Sequence, residues 1–155
     1  MFVHDFKIID GPFEQVGASL ASGTEALLSA ALAATRVEME RMRWRAGANH
    51  WPLVLAKRTE VSAGPMRDHG DWLLLAFSWS GEDGTPLMSH LDADLEVTPF
   101  GPSQTALALR GRYQPPAAVL ARRGDERFVE HIAESTIRAF LDELCSILSG
   151  RVVQD

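Results

Sequence analysis

Residues 89–98 show the strictest pattern in this sequence, with apolar and polar side chains at alternate positions. Such a period of two predicts a β-strand that buries one face and exposes the other. The turn sequence Pro99-Phe100-Gly101-Pro102 follows, and residues 104–114 alternate again. A short turn between two alternating segments predicts an antiparallel hairpin. The predicted buried residues are Leu91, Ala93, Leu95, Val97, Leu107, Leu109 and Tyr113.

The register of this hairpin follows from its two faces. The buried residues of both strands must share one face, so the numbers of paired residues must sum to an even value. A turn centred near Gly101 makes that sum 202 or 204. The first value pairs Asp92 with Arg110, and the second pairs Asp92 with Arg112 and Asp94 with Arg110. In either register we expect exposed acid–arginine pairs that contribute about 0.2–1 kcal/mol each.

Three other segments read as strands. Residues 3–9 alternate loosely, residues 53–62 alternate weakly, and residues 72–80 are strongly apolar. Short loops join the last of these to the hairpin, which predicts a meander of about four consecutive antiparallel strands.

Two helices are predicted between the first strand and the meander. Asp10 is a suitable cap for a first helix that ends near Ala21. Ser22 and Glu25 have the spacing of a capping box, which predicts that a second helix begins there. This second helix is expected to end near Arg41.

A long amphipathic helix is predicted over residues 125–148. Its wide apolar stripe includes Ile132, Ile137 and Leu144, and acidic residues follow its far side. Gly150 is placed as its C-terminal cap. A sheet with one apolar face needs a cover, and this helix is the element large enough to provide it.

Composition restricts the class of protein. The chain has 155 residues, of which 46% are hydrophobic, so we expect one domain over residues 1–155. Its formal net charge of −6 opposes nucleic-acid binding. Cys145 is the single cysteine, which excludes an internal disulfide and indicates a packing residue in a reducing compartment. We find no signal-peptide pattern and no apolar stretch long enough to span a membrane, and therefore expect a cytoplasmic protein.

The order and content of these elements resemble the START-related helix-grip superfamily (SRPBCC), and more narrowly the small actinobacterial proteins similar to polyketide cyclases and dehydrases. The segments that carry the resemblance are Gly64-Pro65, Asp71 to Trp79, Leu91 to Glu96, Arg110 to Pro116 and Phe128 to Leu144. The resemblance implies an α+β fold in which a curved antiparallel sheet wraps around the long C-terminal helix, with two helices after the first strand. It also implies an apolar cavity between the sheet and that helix.

From this resemblance and the predicted faces we expect binding of an apolar or aromatic small molecule, lipid-like or polyketide-like, in that cavity. Tyr113 is the only tyrosine, and it supplies one polar group at the apolar site. The alternatives are a filled core, a cyclase or aromatase that uses the same cavity, and a partner-binding module without catalysis. No cofactor and no metal are implied, and the protein is expected to be a monomer or a homodimer. The predicted ligand-binding residues are Leu75, Phe77, Trp79, Leu95, Leu109, Tyr113, Phe128, Ile132 and Thr136.

Three other groups of residues have a possible chemical role and a simpler structural interpretation. His90, Asp92 and Asp94 share one strand face and could bind a divalent cation, but that face is predicted to be the solvated one. The basic segment 41–46 could bind an anionic group or form a solvated edge. His131 and Glu134 are spaced as a surface pair on the terminal helix.

Overall fold

The structure is a computed structural model, and it describes residues 1–45, 59–81, 90–114 and 126–154. Its strands are β1 (Phe2–Asp10), β2 (Thr59–Ala63), β3 (Arg67–Asp68), β4 (Leu73–Gly81), β5 (His90–Pro99) and β6 (Gln104–Gln114). Its helices are α1 (Phe13–Ala21), α2 (Thr24–Arg45) and α3 (Glu126–Gln154). The order of elements is the predicted one, with the two-residue strand β3 added.

The sheet is antiparallel, with the strand order β1-β6-β5-β4-β2, and β3 pairs with the start of β4. Strands β2, β4, β5 and β6 form the predicted meander. In the β5–β6 hairpin Asp92 lies opposite Arg112 and Asp94 opposite Arg110, so the register with a sum of 204 is the correct one. The first strand, β1, pairs with β6 and forms one edge of the sheet.

One face of the sheet is buried, and it is the face that the alternation predicts. The inner side chains of β4, β5 and β6 join those of all three helices in a single core cluster. The inner surface of α2 contributes Leu27, Leu28 and Leu32, all of which are buried. Helix α3 contributes a stripe from Ile132 to Leu148. The predicted α+β helix-grip class is thereby confirmed.

The predicted caps at the beginning of the helices are wrong. Helix α1 begins after Pro12, and the carboxylate of Asp10 accepts a hydrogen bond from the Gln104 amide instead of capping it. Ser22 is the C-cap of α1, and its hydroxyl donates to the Ser19 carbonyl. Helix α2 begins at Thr24, because Ser22 has the αR backbone conformation of a C-cap (φ −72°, ψ −3°) and not the extended conformation of an N-cap.

Two element ends also differ from the prediction. Helix α3 continues through Gly150 to Gln154, and α2 continues past Arg41 to Arg45. A glycine inside a helix costs only about 0.5–1 kcal/mol, which a long packed helix tolerates. Of the strand predicted over 53–62, residues 53–58 lie outside the described residues, and β2 begins at Thr59.

Strands β5 and β6 approach each other closely at Gly111. A methyl group placed on Gly111 would lie 2.4 Å from the Asp92 carbonyl oxygen and 2.7 Å from the Ala93 Cβ. Gly111 is directly opposite Ala93 in the register, and both point to the inner face. This close approach requires a residue without a side chain.

Candidate functional site

Three aromatic rings form the centre of the packing between β4 and α3. The Trp79 and Phe140 ring centroids are 4.9 Å apart, with the rings inclined at 60°, which is the edge-to-face arrangement. The Phe77 ring lies 5.8 Å from Phe140 and 6.0 Å from Trp79. The alternation of β4 directs its two aromatic residues to this side, and α3 brings Phe140 against them. We call these three residues the aromatic cluster.

The cross-strand register places a phenol beside this cluster. Trp79 lies opposite Leu91 on β5, and Leu91 lies opposite Tyr113 on β6. Neighbouring strands are about 4.8 Å apart, so the backbones at Trp79 and Tyr113 are separated by roughly 10 Å. Both side chains are buried, with 1% exposure each. The site thus combines apolar rings with two groups that can form hydrogen bonds.

The indole N–H of Trp79 is buried, and within the described part of the chain it has no hydrogen-bond partner. Most buried donors in folded proteins are paired, because an unpaired one costs about 1–3 kcal/mol. The N–H is therefore a donor that a bound oxygen or nitrogen acceptor would stabilise. This property could not be inferred from the sequence, because it depends on what the fold places around the ring.

Burial sets the chemistry of Tyr113. Desolvation raises the pKa of its phenol well above the ordinary value near 10. A phenol is protonated at physiological pH already at its ordinary pKa, and burial extends this to more alkaline pH. Tyr113 can therefore donate or accept a hydrogen bond but does not act as a phenolate base.

The other predicted site residues lie on the same inner surface. Leu75, Leu95 and Leu109 form one cross-strand row and are fully buried. On α3, Ile132 and Thr136 are buried and Phe128 is half-buried against the core. The Thr136 hydroxyl donates to the Ile132 carbonyl at 2.7 Å, so its hydrogen is used within the helix.

Phe140 belongs to the aromatic cluster but is not among the predicted ligand-binding residues. It lies four residues after Thr136, at the spacing that keeps two residues on one helix face. The apolar stripe of α3 includes it, and this spacing could have placed it beside the predicted residues of α3.

The outer face of the sheet has a different character. A groove of about 640 Å³ crosses this face, and its lining includes Asp92, Asp94, Arg110 and Arg112. The expected pairs between these acids and arginines are not formed, although the register is correct. Asp92 instead contacts His90 on its own strand, with 2.9 Å between Nε2 and Oδ2. Within the described residues no group of three or more histidine, cysteine or acidic side chains is arranged to hold a metal ion.

The remaining residues with a possible chemical role lie at or near the surface, or outside the described residues. Arg41 approaches Glu38 at 3.6 Å, while the side chains of residues 42–45 and the whole of residue 46 lie outside the described part. His131 and Glu134 are both exposed on α3. Cys145 is half-buried against the core, and desolvation raises its pKa to about 11.

Among the described helices, none is long and apolar enough by itself to cross a membrane. Helices α1 and α2 meet that criterion only when taken together, and they are bent by 93° relative to each other.

Comparison with solved structures identifies the fold. The structure is similar to a conserved protein from Geobacillus kaustophilus, with a TM-score of 0.53 and 13% identity, covering 97% of this chain and 96% of that chain. A hypothetical protein from Helicobacter pylori gives a TM-score of 0.49 and 14% identity, covering 95% and 87% of the two chains. The Zhui aromatase/cyclase from a Streptomyces species gives 0.42 and 9%, covering 98% and 95%.

No protein-family profile matches the sequence, and no curated protein matches it. At these identities the structural similarity defines a fold. The chain has the α+β helix-grip fold.

Proposed function

We propose that this protein binds an apolar, aromatic small molecule between the sheet and α3, next to the aromatic cluster. Flat rings of a ligand would pack against Phe77 and Phe140, which are wide and apolar. The proposal extends to the predicted lining residues on β4, β5, β6 and α3, to a single domain and to a cytoplasmic location. It is supported by a fold that solved aromatase/cyclases share.

The observation that carries the proposal is the buried indole N–H of Trp79, for which the described residues supply no hydrogen-bond acceptor. A ligand that has a carbonyl or ether oxygen on an aromatic body would accept this hydrogen bond while burying apolar area. The net gain of such a bond is about 0.5–1.5 kcal/mol, which corresponds to roughly a 2- to 10-fold preference over a ligand without the oxygen.

Binding without chemistry is favoured over a cyclase or aromatase reaction. Tyr113 is the only titratable residue among the predicted lining residues, and a phenol is neutral at physiological pH. A neutral phenol can orient a carbonyl, but proton abstraction needs a base. A cyclase remains the second proposal, with Tyr113 as the hydrogen-bond donor that polarises a substrate carbonyl.

A matched pair of ligands tests the proposal. 2-Acetylnaphthalene has one carbonyl on a flat aromatic body, and 2-ethylnaphthalene has a similar shape without the oxygen. We expect the parent protein to bind the ketone more tightly, and the Trp79→Phe variant to bind both compounds equally. Trp72→Phe is the control, because Trp72 stacks on His69 in the β3–β4 turn, away from the aromatic cluster.

A second variant tests whether there is space between the sheet and α3 that can accept added volume. Leu109→Trp adds bulk to the buried inner row, and it should abolish ligand binding while the fold survives. In a solid core the same substitution costs about 1–3 kcal/mol by overpacking. A loss of several degrees in melting temperature, together with no binding of either naphthalene by the parent, would disprove the proposed function.

A further inference from the structure

Strand β1 exposes apolar side chains at the edge of the sheet. Phe2, Phe6 and Ile8 are 69%, 58% and 42% exposed, and all three lie on the outer face of the strand. Strand β1 pairs with β6 on one side, and no described strand pairs with its other side. A nine-residue edge strand with exposed aromatic residues is suited to pairing with another strand.

The backbone of β1 is oriented for such pairing. Met1 and Tyr113 exchange two backbone hydrogen bonds, of 3.0 and 2.8 Å, and the Gly11 N–H donates to the Ser103 carbonyl at 2.9 Å. The odd-numbered residues of β1 therefore form the backbone hydrogen bonds to β6. The backbone N–H and C=O groups of the even-numbered residues, from Phe2 to Phe6, point to the other edge of the strand. The Phe6 N–H donates to the carboxylate of Asp5 at 2.9 Å, which caps the middle of this edge.

Charges on the inner face of β1 restrict which strand can pair with it. Asp5 and Lys7 point inward, where they meet Arg138 and Asp142 of α3 at 3.8 and 2.6 Å. Inward-pointing charges normally discourage edge pairing, because a foreign strand would bury them beside apolar groups. A strand with opposite charges at the opposing positions is the exception.

Strand β1 is itself such a strand. Two antiparallel copies aligned over their full length from Phe2 to Asp10 have Phe6 on the two-fold axis, and paired residue numbers sum to 12. Asp5 then lies opposite the partner's Lys7, and Lys7 lies opposite the partner's Asp5. Shifting the register by two residues in either direction places Asp5 against the partner's Asp5, or Lys7 against the partner's Lys7. Only the full-length register is free of like-charge pairs among these three.

The geometry points to a homodimer in which the β1 strands of two copies pair antiparallel across the open edge, with Phe6 at the axis. The Phe6 N–H then donates to the carbonyl of the partner's Phe6, and the Asp5 carboxylate becomes available to the partner's Lys7. The sheets of the two copies would form one continuous sheet. This interface is independent of the proposed ligand site, which lies on the inner face.

Sedimentation velocity over a range of protein concentrations tests the dimer. We expect a species of twice the 17.0 kDa monomer mass at high concentration. Phe6→Glu and Phe6→Lys should each weaken it at least about tenfold, because two like charges would lie roughly 5.5 Å apart across the axis. An equimolar mixture of the two variants should restore the dimer. Phe100→Glu is the control, since Phe100 is 52% exposed in the β5–β6 turn.

Cysteine cross-linking tests the register. Phe6→Cys should form a disulfide between copies, because Cα atoms about 5.5 Å apart are within disulfide range. His4→Cys alone should not, since its symmetry mate lies about 13 Å along the strand. A mixture of His4→Cys and Ile8→Cys should cross-link. A monomer at all concentrations, a dimer unaffected by both Phe6 charge variants, or cross-linking of His4→Cys alone would overturn the inference.

Discussion

Replacing Gly111 by alanine tests the close approach of β5 and β6. The added methyl group would lie 2.4 Å from the Asp92 carbonyl oxygen, 2.7 Å from the Ala93 Cβ and 2.9 Å from the Ala93 Cα. Two of these three atoms belong to the backbone of a central strand, so they cannot move without displacing the hydrogen-bonded ladder. The strands must separate locally, and the packing beneath them must follow.

The expected cost is large for the addition of one methyl group. Overpacking in a well-filled core costs about 1–3 kcal/mol, and a clash with backbone belongs at the upper end of that range. For a chain of this length 1 kcal/mol corresponds to about 2–4 °C, so the Gly111→Ala variant should melt about 6–12 °C below the parent. Thermal unfolding followed by circular dichroism, with a denaturant titration beside it, measures both quantities.

The same substitution at two other glycines provides matched controls. Nothing lies within 4 Å of a methyl group on Gly150, so Gly150→Ala should stabilise α3 by about 0.5–1 kcal/mol. At Gly17 the methyl group meets the end of the flexible Leu73 side chain at 2.8 Å, so Gly17→Ala should be close to neutral. A Gly111→Ala variant as stable as the parent would show that the sheet relaxes freely at this point, and the reasoning would be refuted.

Three further predictions concern titratable groups. The raised pKa of Tyr113 means that the folded state keeps a proton that the unfolded chain loses near pH 10; stability should therefore fall above pH 10, and Tyr113→Phe should remove this part of the decline. Because Tyr113 is the only tyrosine, tyrosinate absorbance reports on it alone and should appear together with unfolding. Cys145 should react slowly with thiol reagents at pH 8, since its pKa is raised to about 11; rapid labelling of the native protein would show that the thiol is exposed. The hydrogen bond to Asp142 raises the pKa of Lys7. The contribution of this ion pair to folding stability is therefore present at neutral pH and is lost as the pH rises through the pKa that Lys7 has in the folded protein. Asp142→Asn should cost less than about 1 kcal/mol at pH 7, and a larger loss in a urea titration would mean that the pair is not a solvated surface contact.

The β5–β6 hairpin was predictable because its determinants are local. The alternation of apolar and polar residues decides which face is buried. Because the buried residues of both strands must share that face and the turn is short, only two registers are possible, and one of them is observed. The side-chain contacts on its outer face were not predictable in the same way. Asp92 contacts His90 on its own strand, although Arg112 lies opposite, because an exposed carboxylate has several partners of similar energy.

The errors at helix ends have a common cause. A serine between two helices can be the C-cap of the first or the N-cap of the second, and the backbone conformation of Ser22 makes it the C-cap of α1. Gly150 resembles a helix terminator, but Arg151 near the end of α3 interacts favourably with the helix dipole, and the helix continues.

The edge position of β1 and the hydrogen bonding of the Trp79 N–H depend on distant parts of the chain. The inner face of β1 contains Asp5 and Lys7, which interrupt its alternation, and their partners are on α3 more than 130 residues later. Whether the Trp79 N–H has an acceptor depends on every residue packed around the ring, and none of the described residues supplies one. Sequence periodicity describes neither relation.

The pairing of β1 with β6 has a consequence for synthesis on the ribosome. Asp10 and its partner Gln104 are 94 residues apart, and at about 5–20 residues per second roughly 5–19 s pass between their translation. During that interval β1 has no β6 to pair with, and its backbone groups and the side chains of Val3 and Ile9, which folding buries, are available to other nascent chains on the same messenger. A chaperone that binds short apolar segments would bind β1 during this interval. The fraction of nascent chains bound by such a chaperone should rise when translation slows between codons 10 and 104.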